Sequence, residues 1–473
     1  MTIAGAAVLA GEATRRILAS LAAAPRGVVV DSPPGAGKST LVVRAARDLA
    51  DAGERVMVLG QTNEQVDDLI ARLADDRPDL MLGRLCAASY VASDRVLRDS
   101  VRLDTAVGGL EECPVVFGTA AKWATITAPP PCFPGQPAPT DLPAGPDRPP
   151  VLPPPTGPDR PPGGAWPWAI VDEAYQMRSD LLLRVAGLFR KALFVGDPGQ
   201  LDPFSVVDTE RWTGLSWDPM SSAVAVMLAH NADVVPVHTL PVSWRLPASA
   251  APVVSEAFYP FTGFTSATTE ADRSLGWSSV PLRRGALDEA LEIAAESGWA
   301  LYELPHRHAL RTDREAVAAC AGLAARALER GGIAVSGNDA VPLTRERIAI
   351  GTAHRDQALA VRAALAELGV PGVVADTANR LQGREFDLTI VLHPLSGRRD
   401  ATAFHLEAGR LCVLTSRHRQ ACVVVARAGI PALLDAHPSA EPVHLGVPVK
   451  FPDGWEAHQA IMAHLARHRV PVP

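Results

Sequence analysis

The run Gly27-Val28-Val29-Val30-Asp31, followed by SPPGAGKS and then TLVVRAA, limits the fold more than any other part of the chain. Consecutive β-branched apolar residues read as a buried strand, and the spaced apolar positions after Lys38 read as a helix. A small-residue loop between them turns backbone N–H groups toward a helix N-terminus, which is a phosphate cradle. In that cradle Gly35, Ala36 and Gly37 allow close approach, Lys38 supplies a cation to the β- and γ-phosphates, and Ser39 supplies a hydroxyl to Mg²⁺, with Ser32 and Thr40 at either end. Ser32 stands where the strict pattern begins with glycine. Strand 55–59 follows helix 39–52, and a helical stretch, NEQVDDLIARL, follows that strand. This βαβ rhythm predicts a parallel sheet with helices on both faces.

A triphosphate in such a cradle needs a metal-holding acid at the end of a neighbouring strand. Trp168-Ala169-Ile170-Val171 ends at Asp172-Glu173, which suits Asp172 for the Mg²⁺ shell and Glu173 for the attacking water. LFVGDPGQL repeats the design and brings Gln200 to the same sheet edge. A second strand–helix alternation begins at WALYELPH and runs to ACVVVAR, so two α/β halves are expected.

At 473 residues two or three domains are expected. A net charge of −7 excludes a polybasic coat, so nucleic acid would be held by a local groove. The six cysteines show no CxxC pair and read as buried thiols. Charged residues interrupt the Ala-rich N-terminus, so no membrane partner and a cytoplasmic location are expected. Residues 129–163 are proline-rich and contain GPDRPP twice, which predicts a disordered surface insertion, either a tolerated low-complexity segment or a ligand for a proline-recognising protein partner.

With these residues in view the chain resembles the superfamily 1 DNA and RNA helicases, closest to the nonsense-mediated-decay and DNA-end-processing branch of P-loop (AAA-type) motors. The family's motifs are matched in order by SPPGAGKS, QTNEQVDDL, FGTAAKW, DEAYQ, GDPGQLDP, SWRLP, GTAHRDQ, TANRLQGREFD and CVLTSRHR. The resemblance implies two RecA-like domains with ATP and Mg²⁺ in the cleft between them. Residues 1–250 would form the first, 251–298 a connecting segment, and 299–473 the second. It also implies roles. Lys38, Ser39, Asp172, Glu173 and Gln200 look like the triphosphate and Mg²⁺ set, and Arg245 like a phosphate-contacting arginine, with Trp244 in place of tyrosine. Gly383 and Glu385 resemble a nucleotide-sensing loop, and Arg417 an arginine finger. Arg419, two residues on, is expected to point the other way if the segment is extended.

Contacts to single-stranded DNA or RNA would come from Thr62, Asn63, Thr119, Gln357 and Thr377, short neutral groups that suit phosphate oxygens without sequence readout. Trp123 either stacks on a base or packs behind a strand. The sequence departs from the family pattern in one informative place. Residues 1–27 contain no glutamine of the kind that reads adenine, which leaves base selectivity open. Large accessory insertions are not evident. Two readings remain: a monomeric ATP-driven helicase or translocase, or an ATPase switch that signals to a protein partner without unwinding.

Overall fold

The structure, a computed structural model, describes residues 2–126, 166–201, 203, 221–438 and 453–472. The proline-rich insertion lies outside the described residues. The first sheet contains β1 (Gly27–Asp31), β2 (Val56–Gly60), β3 (Leu82–Leu85), β4 (Val101–Asp104), β5 (Val115–Thr119), β6 (Trp166–Asp172), β7 (Phe189–Gly196) and β8 (Val237–Thr239). Its helices are α1 (Ile3–Ala23), α2 (Lys38–Asp51), α3 (Asn63–Asp76), α4 (Ala120–Trp123), α5 (Ser179–Val185) and α6 (Ala223–Asn231). The strand order is β4-β3-β5-β2-β6-β7-β1-β8, and every pairing is parallel. All strand C-termini therefore share one edge, where ligand crevices of open α/β sheets lie.

A short pair, β9 (Val242–Ser243) and β10 (Thr265–Ser266), encloses α7 (Ala251–Phe258). There follow β11 (Arg273–Trp277), α8 (Ala286–Ser297), β12 (Trp299–Leu304), α9 (Arg314–Glu329), β13 (Gly332–Ser336), β14 (Asp339–Pro342), β15 (Ile348–Thr352) and α10 (Arg355–Glu367). The chain continues through β16 (Val374–Thr377), α11 (Ala378–Leu381), β17 (Phe386–Leu392), α12 (Ala403–Leu406), α13 (Ala408–Thr415), β18 (His418–Arg427), α14 (Ile430–Ala436), α15 (Gly454–Leu465) and β19 (Arg469–Pro471). The second sheet runs β16-β15-β17-β18-β12-β19 and is again wholly parallel. A three-stranded antiparallel sheet, β11-β13-β14, sits beside it. The protein is thus two RecA-like α/β domains.

Both large sheets are covered on both faces, which is why their strands are continuous apolar runs rather than alternating ones. Val28, Val30, Val56 and Val58 join one core, and Val29, Met57 and Leu59 the core on the opposite face. In the second domain Leu388, Ile390 and Val423 face one way, and Trp299, Leu301 and Val424 the other. The stretch 251–298, expected as a connection, belongs to these cores. Val254 and Phe258 of α7 pack with Trp299 and Val424, and Leu291 and Ala294 of α8 pack on the other face. Trp123 is fully buried, donates its indole N–H to the Val58 carbonyl at 3.2 Å, and is a core residue.

Candidate functional site

The cradle hangs from the C-terminal end of β1. Ser32 N–H donates to the Gly196 carbonyl at 2.8 Å, which ties the loop to β7 next door. On its other side the loop is joined to the SWRLP segment: Ser243 Oγ donates to the Pro34 carbonyl at 2.6 Å, and Trp244 N–H to the Gly35 carbonyl at 2.9 Å. Gly35 has φ 73°, and a Cβ there would lie 2.3 Å from the Arg245 Cβ. Only glycine permits both that backbone angle and that approach, so the loop and Arg245 form one unit.

β7 lies between β1 and β6, so the acid strand is one strand removed from the loop strand. Asp172 ends β6, and Glu173 follows at φ 52°, the one positive-φ residue other than glycine among the described residues. Holding a glutamate in the left-handed region costs on the order of 1 kcal/mol, strain of the kind that collects at functional sites. The turn aims Glu173 at Lys38, with which it forms an ion pair. Burial alone would lower the Lys38 ammonium, but Glu173, Asp172 and Asp197 together hold it above its ordinary value. Burial, reinforced by Glu173 and opposed by Lys38, pushes the Asp172 carboxyl up to about 6.

Sequence reasoning drew Gln200 from GDPGQ and passed over Asp197, which the fold makes central. Asp197 is buried and accepts from Tyr259 Oη at 2.6 Å, from Gly199 N–H at 2.9 Å and from the Gln200 amide. Tyr259 follows α7, so this contact crosses to the second domain's core. Its hydroxyl also lies 3.5 Å from Cys412 Sγ. Close by, a Cβ on Gly409, in the first turn of α13, would stand 2.6 Å from the Gln200 carbonyl oxygen. The two domains therefore touch backbone to backbone at this loop.

The far wall carries arginines. Arg245 Nε donates to Glu385 Oε2 at 3.3 Å and its Nη2 to the Gly383 carbonyl at 3.4 Å. Arg419 Nη1 reaches Glu385 Oε1 at 3.2 Å. The Arg419 side chain is about one-third exposed, whereas that of Arg417 is buried, so the two have different surroundings. Arg417 is 1% exposed. Its Nη2 donates to Ser416 Oγ at 2.7 Å, while Nε and Nη1 are buried without a partner. Burial and the like charge of Arg245 lower its pKa to about 10, against the pull of Asp197, the same carboxylate that acts on Lys38. Arg273 of β11, which no motif marks, donates to the Trp244 carbonyl at 2.6 Å, to the Arg245 carbonyl and to the Arg419 carbonyl at 3.4 Å. It braces the cradle side against the Arg417 side.

Ser32 Oγ, Asp172 Oδ1, Gln200 Oε1 and the two Arg417 nitrogens are all buried polar atoms lacking a partner. Unpaired buried groups cost roughly 1–3 kcal/mol each, more when charged, and call for an explanation. A triphosphate with a divalent cation would supply what some of them lack: anionic oxygens for the Arg417 nitrogens and a cation for Asp172 Oδ1, with Lys38 and Ser39 alongside. Mg²⁺ is commonly held this way, by one or two protein oxygens plus phosphates.

Of the five strand-contact candidates, Thr62 and Thr119 follow neighbouring strands, with Gly60 of β2 opposite Thr119 of β5. Thr352 of β15 likewise lies opposite Thr377 of β16, and Gln357 opens α10. So the structure gathers them into two groups on the C-terminal edges of the two sheets. Each also has local work. Thr62 and Thr119 cap α3 and α4, Asn63 Oδ1 accepts from Arg84 at 2.8 Å, and Gln357 completes the α10 cap. Thr377 is the buried N-cap residue of α11.

Among the described residues no helix is long and apolar enough to cross a membrane. No protein-family model matches the chain, and no curated protein does. Among solved structures it is similar to arterivirus nonstructural protein 10, a helicase, at 13% identity over 88% of this chain and 61% of that one, TM-score 0.42. It is similar to the PRRSV helicase at 14% identity over 91% and 58%, TM-score 0.41. A complex of arterivirus nonstructural protein 10 with DNA matches at 12% identity over 88% and 63%, TM-score 0.41. The chain spans about three-fifths of the length of these helicase chains.

Proposed function

We propose that the chain hydrolyses ATP with Mg²⁺ in the cleft between its domains and uses the resulting cleft motion to travel along single-stranded DNA or RNA. This makes it a helicase or translocase of the superfamily 1 kind, with the nonsense-mediated-decay and end-processing branch as the nearest pattern. The observation that carries the reading is Arg417: a buried guanidinium with two unpaired N–H groups, close enough to Asp197 to feel the carboxylate that also acts on the lysine of the phosphate cradle. Most buried side-chain donors find a partner, and Arg417 keeps two that have none beside the carboxylate that also acts on Lys38.

Lys38 and the loop N–H groups hold the β- and γ-phosphates. Asp172 and Ser39 would hold Mg²⁺, which when bound neutralises phosphate charge. Glu173 orients the attacking water and takes its proton once the phosphates have drawn Lys38 away from it. Arg417 places its charge where negative charge builds in the transition state. Because Arg245 and Glu385 bridge the domains and Asp197 meets Tyr259, a change at the γ-phosphate reaches both sheet edges. Those edges carry the two groups of short polar residues that would grip alternate phosphates of a strand.

The test is steady-state ATPase activity with and without single-stranded DNA and RNA. Several-fold stimulation by a strand supports the motor. Hydrolysis that no strand alters would turn the reading toward a nucleotide switch, and absence of hydrolysis with a folded protein would refute both.

A further inference from the structure

The N-terminus of α3 is closed without help from Asn63: Thr62 Oγ1 accepts from Gln65 N–H, and Gln65 Oε1 accepts from Thr62 N–H. Asn63, the first helical residue, is exposed. Its side chain is nevertheless tied down from beneath. Arg84, fully buried near the C-terminal end of β3, donates from Nη2 to Asn63 Oδ1 at 2.8 Å. We propose that Arg84, which lies outside every motif, is a positioning residue for the strand contact at Asn63. It takes the carboxamide oxygen and so leaves only N–H groups turned outward at the sheet edge. The proposal rests on the reading of that edge as the strand-binding surface.

The orientation follows from what each group can offer. A guanidinium has five N–H donors and no acceptor, so of the two ends of a carboxamide it can bond only the oxygen. With Oδ1 held inward, Nδ2 faces away from Arg84, and no described residue accepts from it. Two N–H groups at a fixed place suit the phosphate oxygens of any nucleotide and read no base. Nor can Arg84 swing aside. Its Nε donates to Asp67 Oδ1 at 3.1 Å, its Nη1 to the Leu85 carbonyl at 2.9 Å, and its plane lies 4.5 Å from the centre of the Tyr90 ring. The second oxygen of Asp67 accepts from Tyr90 Oη at 2.7 Å and from Ser93 Oγ at 3.0 Å. Every nitrogen of the guanidinium is therefore engaged, as a buried charge requires. Because Asp67 belongs to α3, Arg84 fixes the helix and the side chain at its tip as one piece.

The experiment measures the dissociation constant for one fixed single strand, by fluorescence anisotropy, with the parent, Asn63→Ala, Arg84→Lys and the double variant. Lysine keeps a charge for Asp67 but lacks the planar fork that also reaches Asn63. Asn63→Ala should weaken binding about tenfold, the worth of a hydrogen bond to a charged group. Arg84→Lys should weaken it about fivefold, because the strand must then order a freely turning amide. The double variant should be no weaker than Asn63→Ala, since Arg84 acts through that side chain. A double loss equal to the product of the two single losses, about fiftyfold, overturns the proposal, and so does parent-like binding by Arg84→Lys. If Arg84→Lys does not fold, Asn63→Asp decides. Its carboxylate pairs with Arg84 and gives the strand no N–H, so it should melt no lower than the parent yet bind at least about tenfold more weakly; a lower melt or unchanged binding overturns the proposal. A folded parent that binds no strand means that the strand-binding reading itself has failed, which sets that failure apart from the others.

Discussion

Replacing Arg417 with methionine separates a transition-state role from a structural one. The side chain is 1% exposed, one nitrogen is held by Ser416, and two N–H groups have no partner. If both meet the γ-phosphoryl oxygens only in the transition state, each charged hydrogen bond is worth about 1.5–3 kcal/mol. Together that is roughly 3–6 kcal/mol, or a 10²–10⁴-fold loss in kcat, which overlaps the range of about 10³–10⁵ known for arginine fingers. Nucleotide affinity should change by less than about fivefold, because the ground state keeps Lys38 and the loop amides. Stability should move the other way. The lowered Arg417 pKa means that the fold holds this charge at a cost, and exchanging a buried charge for an apolar side chain of similar volume is often neutral or stabilising. Steady-state ATPase at saturating nucleotide, binding of a fluorescent nucleotide and a thermal melt give the three readouts. A variant that turns over within about threefold of the parent but melts several degrees lower would refute the reasoning, because that is how an arginine serving only the fold behaves.

Three further outcomes are expected. Glu173→Gln should bind nucleotide at least as tightly as the parent, since Lys38 loses its competing ion pair, while turnover falls by at least about 10²-fold; titration of a fluorescent nucleotide beside an ATPase assay checks the split. Gly409→Val should push α13 off the Gln200 backbone, at about 1–3 kcal/mol of overpacking, and reduce strand-stimulated turnover more than basal turnover; equal effects on both would show that this contact does not couple the domains. The third concerns pH. His393, His418 and His458 are buried, with pKa values held down by desolvation, to about 3 for His418 and His458. Their folded values lie below the unfolded one, so below about pH 6.5 the unfolded chain takes up protons that the folded chain refuses, and stability is lost as pH falls. Each such histidine contributes a slope of up to ~1.4 kcal/mol per pH unit. Denaturant unfolding of His458→Gln between pH 7 and 5 should be shallower by about one such increment, and an unchanged slope would contradict the assignment.

The sequence located Lys38 and the acid pair, and the structure joins Lys38 to Glu173 in an ion pair. Lys38 follows a small-residue loop and the acid pair ends an apolar run, so short strings locate both, although the acid strand proves to be one strand removed from the loop strand rather than its neighbour. Parallel sheets buried on both faces also announce themselves, through apolar runs such as Val28-Val29-Val30 and Ile390-Val391-Leu392. Asp197, Tyr259 and Arg273 were not legible, because what matters about them is a partner 28 to 146 residues away and such links leave no period in the sequence. The stretch 251–298 was read as a connection because its pattern is interrupted by short polar segments, yet α7 and α8 bury their apolar sides on opposite faces of the second sheet. The strand-contact candidates show a different limit. Threonine and asparagine at the end of a strand suit a phosphate oxygen, and they suit a helix cap equally well. Thr62 and Thr119 do act as caps, so residue type and position alone could not separate the two roles.

The distribution of charge around the cleft favours a metal–triphosphate complex over a bare anion as the occupant we propose. On the floor, Asp172, Glu173 and Asp197 surround one ammonium, Lys38. On the wall, Arg245, Arg419 and Arg273 lie around one carboxylate, Glu385, whose acidity they raise, and the buried Arg417 feels the like charge of Arg245. A lone phosphate would be drawn to the wall and repelled from the floor. A cation alone would do the reverse. A triphosphate carrying Mg²⁺ is itself divided in this way, with metal at one side of the β- and γ-phosphates and uncompensated oxygens at the other, so it satisfies both surfaces at once. Apart from Arg245, which belongs with the cradle, the two surfaces come from different domains, joined where Asp197 meets Tyr259 and where Gly409 lies on Gln200. Loss of the γ-phosphate therefore leaves the arginine wall short of negative charge while the floor keeps its own ion pair, and the imbalance acts on the interface between the domains. On the proposed reading, that imbalance is what would move the two sheet edges relative to one another.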